Sequence, residues 1–295
     1  MELKKLAAIL TVVDAGSFSK AAEQLNYTQS GITHMMNSIE KEIGFKLLIR
    51  DFRGIRLTHE GERLLPIIKD IVATGNRFDQ EIAEIAGTKK LTLFIGAYSS
   101  IALIWLPEIT RRFHKIHPDV NLEFSHCTVA GMFEAVKNGE IDLGFGSRQD
   151  DPDVHWIDLH NDPLLAILPK DYPMNDSAFP VTKFDGKEFL MPAYGFDKDI
   201  LRVLNKNNVK PAIKSTLVDD SVVISMVGCG LGISILSELV METGNFIGVK
   251  ALPLEPDSYR ILGVALKKDR LKNRYIKDFI NISQQYVLDA YSAEK

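Results

Sequence analysis

Cysteine is nearly absent: Cys127 and Cys229 are the only two in 295 residues. They form no CxxC pair and have no histidine at ligand spacing, which fits reduced cytosolic thiols better than a disulfide framework or a metal site. No apolar run approaches the ~18 residues of a membrane-spanning helix, and no signal peptide is expected. Catalytic signatures are missing as well. There is no G-x-S-x-G elbow, HExxH, Walker A or strand-following GxGxxG. His114 and His117 share a helix at a spacing of three, but further ligands for a metal are lacking, so both are expected in solvent. Neither charge dominates, with 35 Lys+Arg against 39 Asp+Glu. A 45% hydrophobic content and a mean hydropathy of −0.02 describe a globular chain of about two domains.

The residues that are present organise most clearly near the start. A first helix is expected over residues 3–14, with Leu6, Ala7, Leu10 and Val13 at helical spacing. Gly16 ends it, and Ser17 or Ser19 can cap a second helix whose apolar positions are Ala21, Ala22 and Leu25. Asn26 and Tyr27 make a turn. Thr28 then caps a third helix that Gly44 stops. Ile32, Met36, Ile39 and Ile43 form its inward stripe. Opposite lie Gln29, Ser30, Thr33, His34 and Asn37. Amides bond adenine edges well, and hydroxyls serve bases or phosphates. A solvated face of a small bundle is the alternative, but such faces usually carry Lys and Glu, as Glu40, Lys41 and Glu42 do further along.

A small β-wing follows, with Gly54 at its turn and Arg50, Arg53 and Arg56 on its ribbon. Arginines there suit phosphates or a minor groove; for any single one, a solvated hairpin competes. Residues 1–58 hold eight Lys+Arg and six Asp+Glu, net +2, so the remainder carries 27 minus 33, or −6. The asymmetry has the sign that DNA binding asks for, and it is small.

This region resembles the amino terminus of the LysR-type transcriptional regulators. The matching stretches are AGSFSKAAEQLNYTQSGIT at 15–33, EKEIGFKLL at 40–48 and RDFRGIRLTHEG at 50–61. The resemblance implies a winged helix-turn-helix over 1–58, with Gln29, Ser30, Thr33, His34 and Asn37 in the major groove and Arg53 and Arg56 on the wing. The chain departs from the family at His34, where members commonly carry Arg or Lys, and at Met35, where a polar residue is more usual.

Thr58 can cap a helix running to Ala86, with Gly87 as the stop. Its apolar series Leu64, Ile68, Ile71, Gly75, Phe78, Ile82 and Ile85 is spaced four and three in alternation, a heptad seam that asks for a partner helix. About 28 residues at ~1.5 Å make a rod of ~42 Å. Pro66 should bend its first turns, and Gly75 should weaken the seam midway. A core helix of one domain is the alternative, though rarely so long or so regular. The resemblance implies a dimerising linker helix at 59–88, a tetramer as dimer of dimers, and a roughly palindromic operator on double-stranded promoter DNA. It also implies RNA polymerase as a further partner, and a cytoplasmic, prokaryotic setting without a membrane.

From residue 89 strands alternate with helices, which predicts an α/β domain of mostly parallel sheets. Strands are expected near 91–95, 120–125, 141–145, 163–168, 189–191, 213–217, 233–235, 249–252 and 261–265. Helices are expected over 100–117, 130–138, 197–207, 221–227 and 271–291. IDLGFG at 141–146 and GCGLGISIL at 228–236 extend the resemblance to the family's effector-binding domain, similar in fold to periplasmic binding proteins. It implies two α/β lobes, at 89–161 plus 267–295 and at 162–266, joined by two crossing strands. A small-molecule co-inducer lies in the cleft between them, and no other cofactor is implied.

In open α/β sheets ligands bind beyond the carboxyl ends of strands. Tyr98, Ser99 and Ser100 follow the first strand and open a helix whose free N–H groups suit an anion. Thr128 follows the second strand, Ser147 and Arg148 the third, and Tyr194 the strand of the facing lobe. Ser99, Ser100, Ser147, Arg148, Thr128 and Tyr194 are thus the candidate effector contacts, and the expected effector is small and anionic. Helix capping is the alternative for Ser99, Ser100 and Thr128. Asp150, Asp151 and Asp153 could hold Arg148 at the surface, and Tyr194 could be a core ring. Rival functions are an enzyme, a small-molecule receptor without DNA, and a sequence-nonspecific nucleic-acid binder. A redox role for the two cysteines, known in some relatives, stays open. Because the recognition face is polar but poorly charged, Asn37→Ala is expected to lower the preference for operator over random DNA, while Arg53→Ala weakens both alike. Gel shifts against competitor DNA check this, and the reverse outcome would interchange the roles of helix and wing.

Overall fold

Stop signals in the sequence divide the amino-terminal region into short helices. A computed structural model describes the chain except for residues 1, 52–53, 87–90, 175, 193–195, 218, 245 and 292–295. It contains two compact units, one built mainly on the chain up to Leu91 and one on most of the chain from Thr92 onward. In the first, α1 (Leu3–Ala15), α2 (Phe18–Leu25) and α3 (Gln29–Ile43) are ended by Gly16, Asn26 and Gly44, all in the left-handed conformation. Thr28 caps α3 by accepting the Gly31 N–H at 3.1 Å, while Ser17 precedes α2 without a side-chain bond. Ile32, Met36 and Ile39 are buried with Leu6, Ile9, Val12, Ala21 and Ala22 in one core. The wing is the antiparallel pair β1 (Leu48–Asp51) and β2 (Gly54–Leu57).

The long helix α4 (His59–Ala86) runs 28 residues with Pro66 inside it. Thr58 caps it, its hydroxyl accepting the Gly61 N–H at 2.9 Å. The expected seam divides in two. Ile68 and Val72 turn into the core of their own unit, and α1 crosses at Gly75, where an added Cβ would lie 2.3 Å from a Leu3 methyl. Gly75 therefore marks a close crossing of α1 over α4. Of the expected series Ile71, Phe78 and Ile82 are exposed, Phe78 at 65%, and Ile67, which the series did not include, is exposed with them. Gly87 and the Ile85 side chain lie outside the described residues.

The second unit begins with β3 (Thr92–Ala97). Expected as one helix over 100–117, the next segment is α5 (Ser99–Ile104) and α6 (Leu106–Ile116), broken at Trp105. Pro107 has no N–H for the preceding turn and its ring would strike the carbonyl four residues back. Then come β4 (Asn121–His126), α7 (Val129–Lys137), β5 (Leu143–Ser147) and β6 (His155–Pro169), followed by β7 (Phe179–Pro180), β8 (Glu188–Pro192), α8 (Phe196–Lys206) and β9 (Ala212–Leu217). The chain continues through α9 (Asp220–Gly228), β10 (Ser234–Ser237), α10 (Glu238–Met241), β11 (Val249–Glu255), β12 (Tyr259–Leu266) and α11 (Arg274–Tyr291). Phe113 and Phe145 pack edge-on against Phe279 of α11, burying that helix on the first sheet. His117 is not in open solvent: it bonds Asp278 at 2.9 Å and packs between Phe113 and Tyr275. Among the described residues no helix is long and apolar enough to cross a membrane.

The sheets are mixed rather than mostly parallel. β3 lies parallel between β4 and β5, and β8 parallel to β9. Pairings around the crossing are antiparallel: β12 with β5 and β6, and β10 and β11 with β6. A strand that runs into the second lobe and another that returns must oppose one another, and this produces the change of sense. β6 is far longer than the expected 163–168. Its first half, to Pro163, pairs with β12, and the remainder with β10 and β11. β12 also pairs with β5 through Leu262–Ala265. The sequence boundary at 266/267 assigned 259–266 to the second lobe, but these hydrogen bonds place that strand in the first lobe's sheet.

One glycine carries the junction of wing and long helix. A Cβ at Gly61 would stand 2.3 Å from the Leu47 carbonyl oxygen and 3.0 Å from a Leu57 methyl. Backbone cannot yield there as a side-chain tip can. Gly61→Ala is expected to cost about 1–3 kcal/mol, lowering the thermal midpoint of the first unit in calorimetry. A midpoint within a degree of the parent would refute that packing.

Candidate functional sites

The exposed face of α3 begins at its cap. Gln29, Ser30, His34 and Asn37 are exposed and Thr33 is half-buried. Two of the five polar groups also serve the helix. The Thr33 hydroxyl donates to the Gln29 carbonyl at 2.9 Å, and Ser30 lies 3.1 Å from the Thr28 hydroxyl. The side chains presented outward with the longest reach are therefore Gln29, His34 and Asn37.

The wing does not present its arginines on one side. Strand register sets Arg50 opposite Ile55 and Ile49 opposite Arg56. Cross-strand partners share a face and neighbours alternate, so Arg50 and Arg56 project from opposite faces of the ribbon. Arg50 joins Thr33, Asn37, Glu40 and Lys46 around a groove of about 240 Å³ between α3 and the wing. Arg53 lies outside the described residues.

Glu40 is what holds wing to helix. Placed beside Lys41 and Glu42 in sequence, it reads as a solvated residue, yet it is 8% exposed. Its Oε1 accepts the Leu47 and Leu48 N–H groups at 2.9 and 3.1 Å, and its Oε2 accepts Lys46 Nζ at 2.6 Å. The signal available in sequence was its position one residue from Ile39 on the inward stripe.

In the second unit, five of the six candidate effector residues, all but Tyr194, lie at or just past the ends of β3, β4 and β5. The Ser99 hydroxyl is exposed and lies 2.8 Å from His126 Nε2. Thr128 is exposed and caps α7 through the Gly131 N–H at 3.3 Å. Ser100, buried, receives Arg260 Nη2 at 3.4 Å. Ser147 is 3% exposed and donates to Asp199 Oδ2 of α8 at 2.6 Å. Arg148 pairs with Asp158 at 3.4 Å rather than with Asp150, Asp151 or Asp153, and is half exposed. Tyr194 lies outside the described residues. Ser147 and Arg148 also border a crevice of about 450 Å³ with Gln149, Lys198, Asp199 and Arg202.

Sequence reasoning missed the charged centre of this region. Arg260 is fully buried, its Nε bonding Asp162 Oδ2 at 2.7 Å and its Nη2 bonding Ser237 Oγ at 2.8 Å. Asp162 Oδ1 takes the Leu239 N–H at 3.0 Å. Alternation along YRILGVAL puts Arg260 on the same side as Leu262 and Val264, an inward register that marks an arginine with a buried partner. Tyr98 is buried too. Its hydroxyl makes no hydrogen bond of good geometry among the described residues, and burial holds its pKa well above the ordinary phenol value. Burial also pushes the Asp220 carboxyl up, against the opposing pull of Arg260.

Comparison with known proteins covers both regions of the chain. Residues 86–287 match the family model described as the LysR substrate binding domain, and residues 3–62 match that of the bacterial regulatory helix-turn-helix proteins, lysR family. An uncharacterised HTH-type transcriptional regulator of Bacillus subtilis, YvbU, is 26% identical over 97% of this chain and 98% of its own length. BenM, an HTH-type transcriptional regulator of Acinetobacter baylyi, is 24% identical over 99% and 98%. A structure of the BenM effector binding domain with its effector benzoate covers 70% of this chain and 96% of that one at a TM-score of 0.62. Full-length CbnR in complex with its target DNA covers 97% and 100% at a TM-score of 0.68 and 18% identity.

The wing's anchor can be tested alone. Glu40→Ala orphans two peptide N–H groups and is expected to cost about 2–3 kcal/mol, seen as a lower thermal midpoint and weaker operator binding in a gel shift. Unchanged stability and affinity would show that Glu40 does not position the wing.

Proposed function

This chain belongs to the LysR family of DNA-binding transcriptional regulators with an effector-binding domain, and we propose that the effector is a small anion held between its two lobes. Gln29, His34 and Asn37 read base edges in the major groove, with Ser30 and Thr33 serving bases or phosphates. Arg50, on the groove side of the ribbon, takes the adjacent phosphate, and Arg53 and Arg56 complete the backbone contacts. CbnR's complex with its target DNA supports that use of the fold.

The exposed strip Ile67, Ile71, Phe78 and Ile82 is matched to a second copy of α4, so two reading heads address two half-sites, and a dimer of dimers is the working form. The regulator acts in the cytoplasm and passes its signal to RNA polymerase at the promoter.

The observation that carries the anionic reading is the meeting of donors at the strand ends: Ser99, Ser100 and Thr128 hydroxyls at helix starts, with Arg148, Lys198 and Arg202 around the adjoining crevice. BenM's effector, benzoate, is a carboxylate. Such a ligand controls DNA binding only through different affinities for two lobe arrangements. A carboxylate screen by thermal shift, followed by footprinting of the DNA upstream of the gene, tests the proposal. It predicts one protected, roughly palindromic site whose pattern changes with the carboxylate that raises the melting temperature. Ser100→Ala with Thr128→Ala should reduce that rise, and an unaltered rise would move the effector elsewhere.

A further inference from the structure

We propose that Asp199 and Tyr98 make this cleft selective for a small carboxylate that also carries a hydrogen-bond donor, a hydroxy- or amino-carboxylate, over the bare acid of the same size. The inference rests on the anionic-effector reading above. Around the crevice of about 450 Å³ stand three cations, Arg148, Lys198 and Arg202, and two carboxylates, Asp150 and Asp199. The cations are at the rim: the side chains of Arg148 and Arg202 are 48% and 56% exposed. They suit the anionic end of a ligand.

Asp199 is different, being 6% exposed. Its Oδ2 takes the Ser147 hydroxyl at 2.6 Å, and its Oδ1 forms an ion pair with Arg202 Nη2 at 2.9 Å. Ser147 comes from the first lobe and Asp199 from the second, so the carboxylate faces whatever enters between them. A bare anion settling there would set one carboxylate against another in a partly desolvated site, where repulsion is poorly screened. A donor on the ligand reverses the sign, because Asp199 then accepts from it as it does from Ser147.

Tyr98 supplies an independent observation. Its phenol end packs on the backbone of Gly146, where an added Cβ would stand 2.6 Å from Cζ. Its hydroxyl sits among Asp199, Arg260 and the Ser147 amide, and among the described residues it makes no hydrogen bond of good geometry, the Ser147 N–H being at most a poorly aligned donor. A buried hydroxyl left unpaired costs free energy that a ligand oxygen or nitrogen would recover. Tyr98 stands behind Ser147 and Asp199 rather than on the crevice wall, so a ligand oxygen or nitrogen that reaches past the Ser147–Asp199 bond would donate to Asp199 and accept from Tyr98.

Matched acids on the full chain provide the test: benzoate against 2-hydroxybenzoate and 2-aminobenzoate, and propanoate against 2-hydroxypropanoate, by isothermal titration calorimetry. In at least one set the donor-bearing acid should bind about tenfold tighter or more, the worth of one hydrogen bond to a charged group. Asp199→Asn should bring that ratio to about threefold or less. Tyr98→Phe removes no well-formed protein hydrogen bond, so the ligand-free melting temperature should hold or rise while the donor-bearing acid weakens about tenfold. That second variant keeps the test decisive if Asp199→Asn fails to fold. Bare acids binding as tightly as their partners, or a ratio indifferent to both substitutions, would overturn the selectivity and leave the anionic reading standing. Binding of no carboxylate at all would overturn both.

Discussion

Every feature of the second unit is referred to a single strand. β6 spends its first half in the sheet of one lobe and its second half in the sheet of the other, so the lobes share a backbone rather than merely touching. At the point of passage Asp162 and Arg260 face each other at 1% and 0% exposure. Such a pair is not in itself strongly stabilising, since desolvation offsets most of the attraction. Breaking it by removing one partner typically costs about 3–5 kcal/mol. The satisfied arrangement is thereby fixed, with Ser237, Leu239 and Ser100 supplying the remaining bonds. Strands β3, β4 and β5 end close to this level, and the hydroxyls at their ends inherit its position.

The same construction limits how an effector can act. Contacts that span the lobes lie on both sides of the crossing. Ser147 meets Asp199, and Lys198 meets Gln149 at 3.0 Å, on one side; Tyr291 donates to Glu242 at 3.3 Å on the other. Trp105 in turn donates to the Tyr291 hydroxyl at 3.0 Å, and His160 stacks on that ring at 4.2 Å. A ligand that rearranges the lobes competes with these bonds, and moving a two-state balance from 1:99 to 99:1 takes about 5.5 kcal/mol of differential affinity. A few hydrogen bonds exchanged at Ser147 and Asp199 are of the right order for such a shift. A ligand that left them intact would need its leverage elsewhere.

Much of this was legible in the sequence where local chemistry agrees with fold. Thr28, Thr58, Gly16 and Gly44 begin or end helices as their residue types require, and the stripe of Ile32, Met36 and Ile39 is buried as its spacing requires. Legibility failed where a long-range partner decides. Residues 155–162, HWIDLHND, carry no strand-like alternation and form a strand because β12 pairs with them. Glu40 looks like a surface residue until Leu47 and Leu48 turn back onto it. Ser100 and Thr128 were recognised as polar groups at helix starts, but Arg260, the buried partner of Ser100, lies 160 positions away. No window of sequence holds both. The division of the α4 seam likewise depends on α1 crossing at Gly75.

The reading head shows what that long-range agreement achieves. Leu47 stands at the junction of three elements. Its N–H goes to Glu40 on α3, and its carbonyl accepts the N–H of Thr58 at 2.9 Å, the residue that caps α4. Gly61, one turn into α4, is pressed against the same carbonyl. Recognition helix, wing and long helix are thus tied through one residue, and none of the three can rotate without breaking a bond that is sheltered from water. With two α4 helices paired as proposed, a rigid head of this kind would convert their separation into the separation of two α3 helices. The polar face of α3 carries no lysine or arginine among its leading residues, so bulk attraction contributes little to choosing a site. On the proposed reading, half-site spacing set by that tie would carry part of the specificity assigned to Gln29, His34 and Asn37.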